Sequence, residues 1–312
     1  MTDLMRVYSG DHDAVIRQFE MDNRPALVFC AEEATLRELV RYALTMAFND
    51  FNFRTLHKEK THRNADAVEE AYNAWAKTAK LPTITKYLME RLGTDFEDRF
   101  VSYFQGPAPD EREFDRWHQE TCQMFLDNLD GKGKYAGFVK IYQDLKYGKA
   151  QKIVNMMFKH LYCFQSEGDW ATRWDPYFRH CHVTLDNFTL EWFKRQIPPY
   201  CRIESWSNLE YCEEPVDQND YLFYQRHIRK FFAAQEKGSA FSDVTPFQAE
   251  FYVWPEIQLH LAAEAFLFEL NPDKYKGKKK EFADRRSEII KLPVDELVAA
   301  VKNEIQKYQS RQ

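Results

Sequence analysis

The stretch from Tyr147 to Phe164, YGKAQKIVNMMFKHLYCF, restricts this chain most. Read at helical period, Ile153, Val154, Met156, Met157, Phe158, Leu161, Tyr162 and Phe164 cover almost every face and leave one polar stripe, Lys152, Asn155 and Lys159. A helix apolar nearly all round belongs inside a protein. The i, i+3, i+7 spacing then points two ammonium groups and an amide into one interior region. Buried cations need a reason. One is structural, with lysine stems packed and their heads reaching water. The other is a reactive cleft, in which a lysine desolvated beside a second cation loses its proton and becomes a nucleophile.

Around this helix the sequence predicts an all-α fold. The 312 residues carry 16% aromatics and only 10 glycines, enough for a large core in one big domain or two lobes. Helices are expected over Ala31–Phe48, Asn64–Lys80, Thr83–Leu92, Asp95–Phe104, Asp110–Leu129, Phe138–Leu145, Asp217–Ala234, Glu256–Leu270 and Val294–Tyr308, with Gly93 as a C-cap. No run of eighteen apolar residues occurs, and the first residues show no basic start followed by an apolar core. The expectation is a cytoplasmic protein without a membrane span.

Six cysteines are scattered without a Cys-x-x-Cys pair, which favours reduced thiols over disulfides, zinc or an iron–sulfur cluster. His180-Cys181-His182 is a poor metal site because consecutive side chains rarely converge, so neither metal nor cofactor is expected. A net charge of −6 argues mildly against nucleic acid, but seven lysines against one acid between Lys132 and Lys159 make a local basic zone.

Within that zone the order is a loop at 130–137, a short helix, the tight turn Lys146-Tyr147-Gly148-Lys149, and the apolar helix. Backbone amides at such a turn can hold a phosphate, with Lys146, Gly148 and Lys149 as the DNA-binding candidates. Further on, Asp186 stands immediately before an apolar periodic segment, at an N-cap position.

Gly148-Lys-Ala-Gln-Lys152 with the helix behind it, followed after 34 residues by Val183-Thr-Leu-Asp186, resembles the helix-hairpin-helix DNA glycosylase superfamily. The second lysine seven residues after the first looks most like the archaeal 8-oxoguanine glycosylase branch. The match covers about 138–195, with 138–164 as the helix-hairpin-helix element and 165–178 as an insert. It departs from the usual motif in having one hairpin glycine and Leu145-Lys-Tyr147 in place of Leu-Pro-Gly.

The resemblance implies a catalytic lysine at Lys152, a catalytic carboxylate at Asp186 and a second pocket lysine at Lys159. It implies a DNA partner, base flipping and a monomeric enzyme, with 1–312 as a single catalytic unit of two helical lobes and the cleft between them. Gln151, Asn155, Trp170 and Trp174 are further pocket candidates, together with Tyr177, Phe178 and the stretch Thr245–Pro255; Arg202 and 225–229 could meet phosphates. The excised base would be 8-oxoguanine, or a bulky glucosylated cytosine of the kind removed by bacterial anti-phage glycosylases. Two other classes compete: a helical nucleic-acid-binding module without chemistry, and a ribonuclease toxin using Arg173 and His180.

Overall fold

The structure is a computed structural model that describes residues 35–50, 84–128, 145–164, 171–197, 205–214, 220–237, 244–254 and 257. These residues are all-α. The helices are α1 (Leu36–Asp50), α2 (Ile84–Gln105), α3 (Glu111–Asn128), α4 (Tyr147–Phe164), α5 (Ala171–Phe178), α6 (Asn187–Gln196), α7 (Tyr221–Ala233) and α8 (246–254), with a 3₁₀ turn at Trp206–Asn208. No described helix is long and apolar enough to cross a membrane. The helices expected over Asn64–Lys80, Phe138–Leu145, Glu256–Leu270 and Val294–Tyr308 lie outside the described residues but for Leu145 and Ile257, as does most of the predicted hairpin element before Leu145.

The apolar helix is central, as its pattern requires. α4 packs against α1, α3 and the 3₁₀ turn, and α1 and α2 pack together beside it. Ala43 and Ala47 on the buried side of α1 are small, so a neighbouring backbone can approach closely. Phe158 of α4 lies at the middle of an aromatic cluster, with ring centroids 5.1 Å from Phe100, 5.3 Å from Tyr103, and 5.5 Å from both Phe114 and Trp117. Tyr103 donates to the Tyr177 carbonyl and Tyr177 to that of Gly106, both at 2.6 Å, which ties α5 to the end of α2.

Four helix starts carry reciprocal capping boxes, in which the cap side chain and the N3 side chain satisfy each other's backbone amides. The pairs are Thr35 with Glu38, Asp110 with Glu113, Asp186 with Thr189, and Thr245 with Gln248. The start expected at Asp110 is thus found, while those at Thr35 and Thr245 were not read from sequence.

One expected boundary is corrected. Gly93 does not end a helix; α2 runs through it from Ile84 to Gln105. Leu88, Leu92, Phe96 and Phe100 keep one buried row across the glycine, and burying them outweighs the ~1 kcal/mol helix penalty of a glycine.

Candidate active site

An extended segment, Val183-Thr184-Leu185-Asp186, runs between α5 and α6. All four residues are buried, and among the described residues no β-strand lies alongside to pair their backbone. Buried amides must still be satisfied. Side chains do this one residue at a time. The Val183 amide donates to Gln225 Oε1, that of Thr184 to Glu250 Oε2, that of Leu185 to Gln151 Oε1 and that of Asp186 to Thr189 Oγ1, at 2.7–3.2 Å. The carbonyls are met equally: Val183 by Gln225 and Asn155, Thr184 by Thr189, Leu185 by Gln151, and Asp186 by the Leu190 amide. Helices α4, α6, α7 and α8 therefore all hold this segment, and it ends on the predicted catalytic carboxylate.

Asp186 caps α6. Its Oδ1 accepts from the amides of Phe188 at 2.8 Å and Thr189 at 3.1 Å, and its Oδ2 from Trp254 Nε1 at 2.9 Å. Negative charge is favoured at a helix N-terminus. A carboxylate has about four acceptor sites, so Oδ2 keeps one open. The residue is 7% exposed.

Beside it Lys159 forms a buried ion pair with Glu250, Nζ to Oε1 at 3.1 Å, and its ammonium lies 5.1 Å from the Phe251 ring centroid and 5.8 Å from that of Trp254. Burial pushes the Glu250 carboxyl upward, against the pull of Lys159 and of the Thr184 amide. Geometry favours the charged pair, because the ammonium contact and the amide donor both reward ionised Glu250.

The three members of the α4 stripe take separate surroundings. Lys152 is half-buried, with its ammonium 5.2 Å from the Trp206 ring centroid, and has no carboxylate partner among the described residues. Seven residues of helix put Lys159 about 10.5 Å further along the axis. Lys159 also carries its own counter-ion, so it is not the bare second cation the sequence suggested. Asn155 joins a buried polar chain. The link between Lys152 and Asp186 is Gln151: its amide grips both backbone groups of Leu185, so the residue before the lysine holds the residue before the aspartate.

The chain through Asn155 has one direction. Asp115, paired with Arg229 at 2.8 and 3.1 Å, only accepts, so His182 Nε2–H donates to it at 2.7 Å. His182 Nδ1 then accepts from Tyr221 at 3.0 Å, and the Tyr221 oxygen accepts from Asn155 Nδ2 at 2.9 Å. Asn155 Oδ1 takes the Nε2–H of His118, whose Nδ1 accepts from Tyr147. These directions are those of neutral imidazoles, which is the state that their burial favours. Burial lowers His118 well below the usual histidine range and His182 to about 4, although the Asp115 contact pulls His182 the other way. Arg229 and His182 hold Asp115 well below the usual carboxylate range against the effect of its own burial.

The predicted phosphate turn has other work. The Gly148 amide donates to the Leu209 carbonyl at 2.9 Å, and a Cβ there would lie 2.0 Å from the Trp206 carbonyl oxygen. Glycine is required by this close approach of the 3₁₀ turn, and its amide is not turned to a phosphate. Lys146 pairs with Glu210, and Lys149 is half-buried one residue beyond the glycine. Gln151 and Asn155 spend their polar atoms on protein groups. Arg229 is engaged by Asp115, Glu111 and the His180 carbonyl. Trp174 falls in the backbone of α5, and Trp170 and Arg202 lie outside the described residues.

One cleft of about 790 Å³ opens beside Asp115, with Arg112, Arg116 and Arg226 in its walls, and another of about 490 Å³ is lined in part by Tyr162, Arg179 and Gln248. Neither includes Lys152, Lys159 or Asp186. Sequence reasoning singled out the 245–255 stretch but not Glu250 or Trp254 individually. The signal was present as a capping box at Thr245 that makes the stretch a helix and sets Glu250 and Trp254 one turn apart.

No protein-family model, curated protein or solved structure matches this chain.

Proposed function

We propose that the chain is a DNA N-glycosylase that takes a modified base out of the stack and cleaves its glycosidic bond, with Asp186 as the carboxylate and Lys152 as the nucleophile. One observation carries the proposal: Asp186 stands at a helix N-terminus, with one acceptor site open, on a segment that Gln151 ties to the lysine helix. A carboxylate held by fixed N–H donors is suited to stabilise the positive charge that builds on the deoxyribose as the base departs.

In the reaction, Lys152, once it has given a proton to water, attacks the anomeric carbon as the C–N bond to the base breaks; the new ammonium gives a proton to Asp186, which passes it to the departing base. Ring opening gives a Schiff base, from which β-elimination breaks the strand on the 3′ side. If water attacks instead, the product is an abasic site and Lys152 only positions. The buried Lys159–Glu250 pair sets the charge next to the carboxylate, and the half-buried Trp254 indole that bonds Asp186 is a flat side chain against which a flipped base could stack. A two-lobed cleft and a monomeric state belong to this proposal, as do the two candidate bases, 8-oxoguanine and a bulky glucosylated cytosine.

The test is incubation with oligonucleotides containing 8-oxoguanine, uracil or glucosylated hydroxymethylcytosine, with borohydride added, using wild type, Lys152→Ala and Asp186→Asn. Base release lost in both variants, with an adduct trapped only when Lys152 is present, is the expected result. No release from any of the three by a folded wild type that binds DNA would leave a helical binding module as the better reading.

A further inference from the structure

We propose that Gln151 is the positioning residue that fixes Asp186 relative to the lysine helix, acting through the backbone of Leu185. The proposal rests on the glycosylase reading above and adds a residue that touches neither sugar nor base.

Gln151 is fully buried and every hydrogen-bonding capacity of its amide is used. Nε2 donates to the carbonyls of Leu185 at 2.7 Å and Gly148 at 2.9 Å; Oε1 accepts from the Leu185 amide at 3.2 Å and from Asn155 Nδ2 at 2.8 Å. Two of these four bonds address one backbone residue from both sides, and that residue directly precedes Asp186. A hydrocarbon of similar size fills the space but leaves a buried amide and a buried carbonyl unpaired, so the segment must shift to find partners. Of the other clamps, Gln225 on Val183 and Glu250 on Thr184 act further from the carboxylate and come from α7 and α8; Thr189 meets the Asp186 amide from α6 itself, and Asn155, the other α4 side chain on the segment, reaches the Val183 carbonyl.

Gln151→Glu separates positioning from mere packing. A protonated glutamic acid can donate its O–H to the Leu185 carbonyl and accept from the Leu185 amide, reproducing both contacts. An ionised one accepts only and opposes the carbonyl. Catalysis by Gln151→Glu should therefore recover as pH falls, whereas filling the space alone gives no such dependence.

The experiment measures single-turnover base release by wild type, Gln151→Leu and Gln151→Glu between pH 8 and pH 5.5, at temperatures where thermal unfolding shows each protein fully folded. DNA affinity and the hydrogen exchange of residues 183–186 are measured in parallel. Gln151→Leu should lose on the order of 100-fold in rate, the cost of a displacement of about 1 Å at a reacting centre, with DNA affinity held within about threefold. Its Leu185 and Asp186 amides should exchange faster. Gln151→Glu should regain at least about tenfold relative to wild type across the pH range, a change detectable as one added titration. An active wild type with Gln151→Leu at nearly the same rate, or a Gln151→Glu defect that ignores pH, overturns the inference alone. A wild type that releases no base overturns the glycosylase reading and this inference with it.

Discussion

Acidification between pH 7 and pH 5 should destabilise this protein through two buried imidazoles. His182 is held neutral at 1% exposure, lowered from 6.5 to about 4 chiefly by burial. An unfolded histidine takes up its proton near pH 6.5. Above that pH neither state is protonated and the full stability is present. Between about 6.5 and about 4 the unfolded state binds a proton that the folded state refuses, so stability falls with pH. The gap, at about 1.4 kcal/mol per pH unit, amounts to about 3 kcal/mol for His182, of which about 2 kcal/mol is lost by pH 5. His118 is displaced in the same direction and adds to the slope. Glu250, raised by burial, acts oppositely, because its folded form gains a proton before its unfolded form does. Asp115, held low, loses its contribution only as pH drops below the ordinary carboxylate range, outside this interval.

Urea unfolding followed by tryptophan fluorescence at pH 7, 6 and 5 measures the effect. The expected outcome is a loss of about 2–4 kcal/mol, a large share of the 5–15 kcal/mol typical of a folded domain. His182→Gln can donate to Asp115 and accept from Tyr221 as neutral imidazole does, so it should flatten the profile by one proton. Glu250→Gln removes the opposing titration and should steepen it. A change under about 0.5 kcal/mol in both wild type and Glu250→Gln would refute the assignment of neutral, desolvated histidines, since Glu250→Gln removes the buried titration that opposes them.

Other perturbations follow from single contacts. Gly148→Ala puts a methyl group 2.0 Å from the Trp206 carbonyl oxygen, so thermal unfolding should show a loss of about 1–3 kcal/mol or more, while DNA affinity at a temperature where it stays folded is unchanged. Glu250→Gln leaves a buried ammonium uncompensated and should cost about 3–5 kcal/mol at pH 7, measured by urea midpoint; the double variant with Lys159→Met should recover much of it. Phe158→Ala removes the hub of six described rings and should cost about 3–5 kcal/mol by the same assay. Asp186→Asn, which turns an amide donor towards either the Trp254 N–H or the two helix amides, should cost about 1–2 kcal/mol of stability in addition to any activity.

The helical class was legible because the strongest signals were local. The all-round apolar pattern of 147–164 placed α4 in the core, and Asp110 and Asp186 announced their helices by residue type and position. Gly93 misled because its own preference is worth about 1 kcal/mol, while the buried row across it, Leu88 to Phe100, is worth several times that. The partners of the stripe were illegible for another reason. Helical spacing tells which side chains share a face but not what lies opposite, and here four different elements lie opposite: the 3₁₀ turn against Lys152, α7 and α3 against Asn155, and α8 against Lys159. The segment 183–186 is the limiting case. Its sequence, Val-Thr-Leu-Asp, carries no sign that two glutamines, a glutamate and a threonine from four helices replace the strand it lacks. Such an arrangement is costly to build, because each clamp is a buried polar group that pairs completely or destabilises. The concentration of these clamps on the residues leading to Asp186 is what makes that carboxylate, rather than either lysine, the fixed point of the site.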